Sequence, residues 1–295
     1  MNIEINKDIL IEKKIFDSFF RDLLSNHLSN SYLEKVMLYS TLNGGKRIRP
    51  YLVKQFAKIK KINSLNYLRL AATIEIIHSY SLIHDDLPSM DNDDFRRGKP
   101  STHKKFTEAQ AILAGDSLHD LAFEILSNTK TCPNYKNGIK LINHLSKSIG
   151  SLGLAGGQSL DLLYEKKLVP INKIIEMYNM KTGALFEFCC IGPFIIANAT
   201  KNEINFASRY GIFFGLIFQI IDDYLDISGN KNLIGKTPGK DLKQKKSTIL
   251  NYLKLKDINK FCNKTTGSFV DNNRYYLKKW PKLHALLYHL VNQLN

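Results

Sequence analysis

Two groups of carboxylates, each at the end of a long apolar run, constrain this chain more than any other feature. They are His84-Asp85-Asp86-Leu87-Pro88-Ser89-Met90-Asp91 and Asp222-Asp223-Tyr224-Leu225-Asp226. Residues four apart share a helix face, so Asp222 and Asp226 project together with Asp223 beside them. Close-set carboxylates repel one another, and a fold that builds two such groups needs a use for them. Binding a hard cation is one, and magnesium fits, because it takes one or two carboxylates and completes its shell with water and phosphate oxygens. Solvated helix ends are the plain alternative; two groups with basic partners nearby argue against it.

The rest of the pattern is helical. Apolar residues recur at three- and four-residue spacings over 36–42, 67–83, 108–126, 139–154, 171–199 and 206–227, and convincing period-two strands are absent. Gly and Pro punctuate the connections at Gly44-Gly45, Pro50, Gly98-Lys99-Pro100, Pro133, Pro170 and 235–239. No linker or low-complexity block divides the 295 residues, so the expectation is one all-α domain over 1–295. On the first acidic helix His78, Ser81 and Asp85 share a face, and Pro88 breaks the helix so that Asp91 returns toward Asp85. On the second, Gln219, Asp222, Asp223 and Asp226 share a face. Two such helices in a bundle would frame a pocket with metal at its mouth and an apolar floor.

Composition narrows the function. A hydrophobic content of 44% supports a real core. The start has no apolar stretch of signal-peptide type, and the most apolar runs are short or carry polar residues, so the expectation is a soluble cytoplasmic protein without stable membrane association. Cys132, Cys189, Cys190 and Cys262 show neither metal-ligand spacing nor a disulfide framework. The formal charge of +15 admits nucleic acid, an anionic surface or phosphorylated substrates. The lysines are scattered rather than striped, and the basic residues that stand out sit near the acidic groups or glycines, which disfavours nucleic acid.

Those residues resemble the trans-isoprenyl diphosphate synthases, most closely the bacterial short-chain type, over nearly the whole chain. Asp85 through Asp91 looks like the first aspartate-rich motif and Asp222 through Asp226 like the second. Gly44-Gly45-Lys46-Arg47-Ile48-Arg49-Pro50, Arg96-Arg97-Gly98-Lys99-Pro100, Gly156-Gly157-Gln158-Ser159-Leu160-Asp161, Lys181-Thr182-Gly183 and Lys236 with Lys246 complete the set in order. The resemblance implies an isoprenoid-synthase-type helical bundle with a central cavity. It implies head-to-tail condensation of isopentenyl diphosphate with dimethylallyl and geranyl diphosphate to give the C15 product, in a homodimer.

By the same resemblance, Asp85, Asp86, Asp91, Asp222, Asp223 and Asp226 hold Mg2+, three ions per site. Arg96, Lys181, Lys236 and Lys246 grip the allylic diphosphate, with Thr182 and Gln219 facing the allylic carbon. Lys46, Arg49, His78 and Arg97 bind isopentenyl diphosphate. Gln158 and Asp161 are expected on the wall near the metals, and Asp93 and Asp94 as loop acids. Tyr80, five residues before Asp85, has the bulk to floor the pocket, and Ser81 lies in line beside it. Phe213, Phe214 and Phe218 read as packing. Geranyl or geranylgeranyl diphosphate synthesis and a non-catalytic subunit of a heteromeric synthase remain the alternatives. The chain ends without the basic tail common in relatives, and 257–273 supports no assignment.

Overall fold

The computed structural model describes residues 2–29, 31–228 and 246–294. Among these the backbone is helical nearly throughout, apart from the two-residue antiparallel strands Phe95–Arg96 and Lys99–Pro100. The all-α expectation is borne out. By its internal packing the chain divides into two compact units, residues 6–142 and residues 143–295 with the first five.

The first unit holds most of α1 (Asn2–His27), then α2 (Tyr32–Thr41), α3 (Ile48–Ile59), α4 (Ser64–Asp85), the short α5 (Thr102–Lys105), α6 (Glu108–Ser127) and the start of α7 (Tyr135–Ile149). The periodicity reading missed α1. Its buried face is Phe16, Phe20, Leu23 and Leu24, a single stripe interrupted by so many charges that the apolar signal is diluted. Ser31 and Glu34 form a reciprocal cap at the start of α2. α4 is the core helix, buried on every side from Arg69 to Ile77. After its last turn the chain curls back around Pro88, and the Asp91 N–H donates to the Asp85 carbonyl at 2.9 Å. This is the return of Asp91 that the sequence led us to expect.

The second unit contains α8 (Leu154–Tyr164), α9 (Ile171–Tyr178), a π turn over Asn179–Gly183, α10 (Ala184–Ile196) and α11 (Lys201–Ser228). A 3-10 turn at Ile249–Asn251 and helices Leu255–Asn272, Arg274–Lys279 and Pro281–Val291 follow. Two expected helices are therefore broken. The 139–154 run leaves the helix at Ile149 and bends over the next four residues before α8 begins. The 171–199 run is interrupted by the π turn, a feature that tends to mark functional positions. α11 is the one described helix long and apolar enough to cross a bilayer, but 56% of its apolar window is buried inside the protein, as in a core helix.

Bare backbone is needed where these helices meet. A Cβ added to Gly157 would lie 2.1 Å from the Lys181 backbone nitrogen, and one on Gly215 would lie 2.7 Å from the Gly183 Cα. α8 and α11 thus touch the π turn at glycine on both sides. Gly157→Ala is expected to destabilise the protein by about 1–3 kcal/mol, because no flexible side chain can yield. A urea titration that leaves the midpoint unchanged would show that α8 can move away without cost.

Candidate active site

In the 6–142 unit the acidic tip of α4 is neutralised from within. Asp86 is buried at 2% exposure, and Arg96 donates from Nε to its Oδ1 and Oδ2 at 3.0 and 3.2 Å and from Nη2 to Oδ1. Arg96 also lies 3.4 Å from the buried carboxylate of Asp93. Burial works against the guanidinium charge, but Asp86 outweighs it and raises the Arg96 pKa above its ordinary value. Asp93 is therefore a buried partner rather than a loop acid. Asp94, exposed and paired with Lys104 at 2.9 Å, does behave as one. Asp85 and Asp91 are only half buried.

Beside this tip the basic residues converge. Arg47, in the left-handed region at φ 54°, is buried between Asp17 at 2.8 Å and Glu75 at 2.6 Å, with Phe16 and Phe20 under its guanidinium. Its guanidinium is taken up inside the protein, while of its motif neighbours Lys46 is exposed and Arg49 half buried. Arg97 donates to the Gly44 carbonyl at 2.5 Å. Burial first, then the charges of Arg49, Arg97, Arg47 and Arg96, push the His78 pKa well down and keep its ring neutral. Arg47 and Arg96 are already paired with carboxylates, so the positive field around the imidazole that suits an anion is partly neutralised from within. A small pocket lies near this group, its wall including Asn43, Ser79, Asp86, Arg96 and Arg97.

Tyr80 packs edge-on against His84 and His119, ring centres 5.0 and 5.4 Å away. Burial, then the nearby Asp85 and Asp116, raise its pKa. Ser81 is buried and donates to the His78 carbonyl at 3.0 Å. Of the two residues expected to set product length, only Tyr80 therefore carries its ring between helices α4 and α6.

In the 143–295 unit the second acidic group grades from half-buried Asp222 to buried Asp223 and Asp226. Gln219 donates from Nε2 to Asp223 Oδ1 at 2.9 Å, and Thr182 donates from Oγ1 to Gln219 Oε1 at 2.7 Å. Lys181 and Lys246 both hold Asp161 Oδ2, at 2.6 and 3.2 Å. Burial pushes the Asp161 carboxyl up, but the two ammonium groups outweigh it and hold it at about 2. Gln158 is buried one turn away, with neither amide atom partnered among the described residues. Lys236 lies outside the described residues. Phe186 packs on Phe214 and Phe218, and Phe213 stacks on Phe269, so this aromatic group is packing. All four cysteines are free and buried.

Among the described residues no three carboxylate, imidazole or thiolate groups converge to enclose an ion. Sequence reasoning missed Tyr178, which donates to Asp223, and Arg47. The first had a signal in the chain, since Tyr178 and Thr182 are four residues apart and so are Gln219 and Asp223. The second had none, because its two acidic partners are remote in sequence.

The comparisons with known proteins fall on the same segments. The family model described as polyprenyl synthetase matches residues 30–274. A farnesyl diphosphate synthase of Micrococcus luteus is 41% identical, covering 86% of this chain and 89% of its own length. A geranylgeranyl diphosphate synthase of Cyanophora paradoxa is 38% identical, covering 87% and 86%. Among solved structures, a Helicobacter pylori geranyltransferase complexed with magnesium and isoprenyl diphosphate superposes with a TM-score of 0.83 at 31% identity, covering 99% and 97%. The chain belongs to the polyprenyl synthetase family.

The neutral state of His78 has a consequence for stability. Histidine in the unfolded chain protonates near 6.5, whereas in the fold its pKa lies well below that. As pH drops through 6.5 the unfolded state binds the extra proton first, so stability falls and keeps falling until the folded-state pKa is reached. His78→Asn should flatten the melting temperature between about pH 7 and pH 5 relative to wild type. Parallel curves for the two proteins would mean that His78 takes up its proton freely in the fold.

Proposed function

We propose that this chain is a prenyltransferase that condenses isopentenyl diphosphate with dimethylallyl and then geranyl diphosphate, releasing farnesyl diphosphate. The observation that carries this is the 41% identity to a farnesyl diphosphate synthase over 86% of the chain, a span that includes every motif assigned above. The allylic C–O bond breaks and diphosphate leaves. The double bond of isopentenyl diphosphate attacks the allylic cation to form a C–C bond, and a proton is then lost to the departed diphosphate.

The proposed division of labour is by ligand. Lys46, Arg49, His78 and Arg97 hold isopentenyl diphosphate, a reading supported by the arginine field around the neutral His78. Arg96, Lys181, Lys236 and Lys246 hold the allylic diphosphate. Arg96 and the two described lysines are held by carboxylates of their own unit, so their contacts with substrate are made by exchange of partner. Thr182 and Gln219 turn oxygen toward the developing cation, where fixed dipoles act without reorganising. Asp85, Asp86 and Asp91 with Asp222, Asp223 and Asp226 provide the magnesium sites, three ions in all, with half-buried Asp85, Asp91 and Asp222 the most accessible of them. Magnesium neutralises the leaving diphosphate, a Lewis-acid contribution of several kcal/mol. The enzyme works as a cytoplasmic homodimer without stable membrane association, a part of the reading that rests on family resemblance.

The test is incubation with isopentenyl and dimethylallyl diphosphates and magnesium, followed by chain-length analysis, with C15 expected. Asp85→Ala and Asp222→Ala should each lower kcat by roughly a thousandfold or more with helical content unchanged. Near-normal turnover in either folded variant would remove the metal assignment.

The relationship to a geranylgeranyl diphosphate synthase favours a C20 product as the second reading, and Tyr80 separates the two. Five residues of helix descend about 7.5 Å from Asp85, somewhat more than one isoprene unit, and an aromatic ring there stops the chain. Tyr80→Ala should shift the main product from C15 to C20 while the first condensation survives. A C20 product from wild type, or no change in the variant, would displace the floor from Tyr80.

A further inference from the structure

Four hydrogen bonds in the 143–295 unit form one directed chain. The Ile249 backbone N–H donates to the Tyr178 hydroxyl at 2.9 Å, and that hydroxyl donates to Asp223 Oδ2. Gln219 Nε2 donates to Asp223 Oδ1 at 2.9 Å, and Thr182 Oγ1 donates to Gln219 Oε1 at 2.7 Å. Tyr178 and Asp223 are buried at 2% and 3% exposure. Geometrically these are two rungs between α11 and the α9–π-turn segment, Tyr178 with Asp223 and Thr182 with Gln219, each pair of residues four apart on its own helix.

The direction of every link follows from its ends. A backbone N–H can only donate, so the tyrosine oxygen accepts there and spends its single proton on Asp223. An ionised carboxylate can only accept, so the end of Gln219 that faces it is the NH2. Side-chain amides are ordinarily ambiguous by a half turn, but this carboxylate removes the choice. The Gln219 carbonyl then faces Thr182 and takes its one proton, which leaves lone pairs on both oxygens for a cationic partner.

We propose that Tyr178 is a positioning residue for the prenyl-transfer step. Through Asp223 it fixes the orientation of the Gln219 amide and the Thr182 hydroxyl. The inference rests on the reading above that Thr182 and Gln219 face the allylic cation. Losing the Tyr178 hydroxyl removes one of the donors that hold the Asp223 carboxylate, so the carboxylate shifts and the Gln219 amide loses a fixed anchor. The transition state loses an oriented dipole, while substrate diphosphates and magnesium keep their contacts.

The experiment compares wild type, Tyr178→Phe, Asp223→Asn and the double variant by steady-state kinetics, magnesium titration and circular dichroism. Tyr178→Phe should lower kcat about tenfold or more while the KM for isopentenyl diphosphate and the half-saturating magnesium stay within about twofold. Asp223→Asn should also lower kcat at saturating magnesium, and the double variant should be little worse than the poorer single one, because both break one unit. Wild-type kcat in Tyr178→Phe overturns the proposal, as does a loss that appears only in KM or in thermal stability. A rise of about tenfold or more in half-saturating magnesium for Tyr178→Phe places the hydroxyl's effect on metal binding and overturns it as well. Wild type that transfers no prenyl group fails the function reading itself and takes this inference with it, whereas active wild type with active Tyr178→Phe fails only the inference.

Discussion

Backbone contact at Gly183 and Gly215 is the constraint on which the chemistry of the second unit depends. With no Cβ at either crossing point, the π turn and α11 approach until a methyl group would lie 2.7 Å from the opposing Cα. One helical turn beyond Gly215, that closeness brings the Gln219 amide within 2.7 Å of the Thr182 hydroxyl. A further turn along, Asp223 meets Tyr178. On the other side Gly157 lets α8 press on Lys181, which carries Asp161 to the ammonium groups. Short polar side chains touch here because the backbones between them are bare.

Charge is handled by the same economy of distance. Each buried carboxylate of the first acidic tip and of α8 has a cation of its own unit in contact: Asp86 with Arg96, Asp161 with Lys181 and Lys246. Breaking such a pair by removing one partner strands the other charge away from water, a cost of about 3–5 kcal/mol. Arg47 shows why a run of basic residues does not act as one. Its guanidinium is consumed by Asp17 and Glu75 inside the protein, while the neighbouring Lys46 is exposed and Arg49 half buried.

Much of this was legible in the chain. Three- and four-residue apolar spacing located α4, α6 and α11, and Pro88 announced the return of Asp91, because these depend on local geometry alone. α1 escaped because charged residues crowd its narrow buried stripe. The π turn escaped because inserting one residue into a turn leaves the apolar pattern on either side intact. The helix Leu255–Asn272 was unreadable for a related reason, its buried positions being few: Ile258, Cys262 and Thr266. At the site, acids and bases declared themselves by type and spacing. Which base each acid holds depended on packing: Asp93 looked like a loop acid and proved buried against Arg96, and the four-residue spacing of Tyr178 and Thr182 did not say that it would meet the same spacing in Gln219 and Asp223, 45 residues on from Tyr178.

The sharing of Asp161 by two lysines makes it a stand-in for ligand. Its carboxylate occupies the ammonium groups that a diphosphate is proposed to take, so binding there is a swap rather than a capture. A swap rewards only the anion that offers more than the incumbent. A diphosphate brings several oxygens and a higher charge than the single carboxylate it would displace. On the proposed reading, the internal acid would then set a threshold that an incoming anion has to exceed.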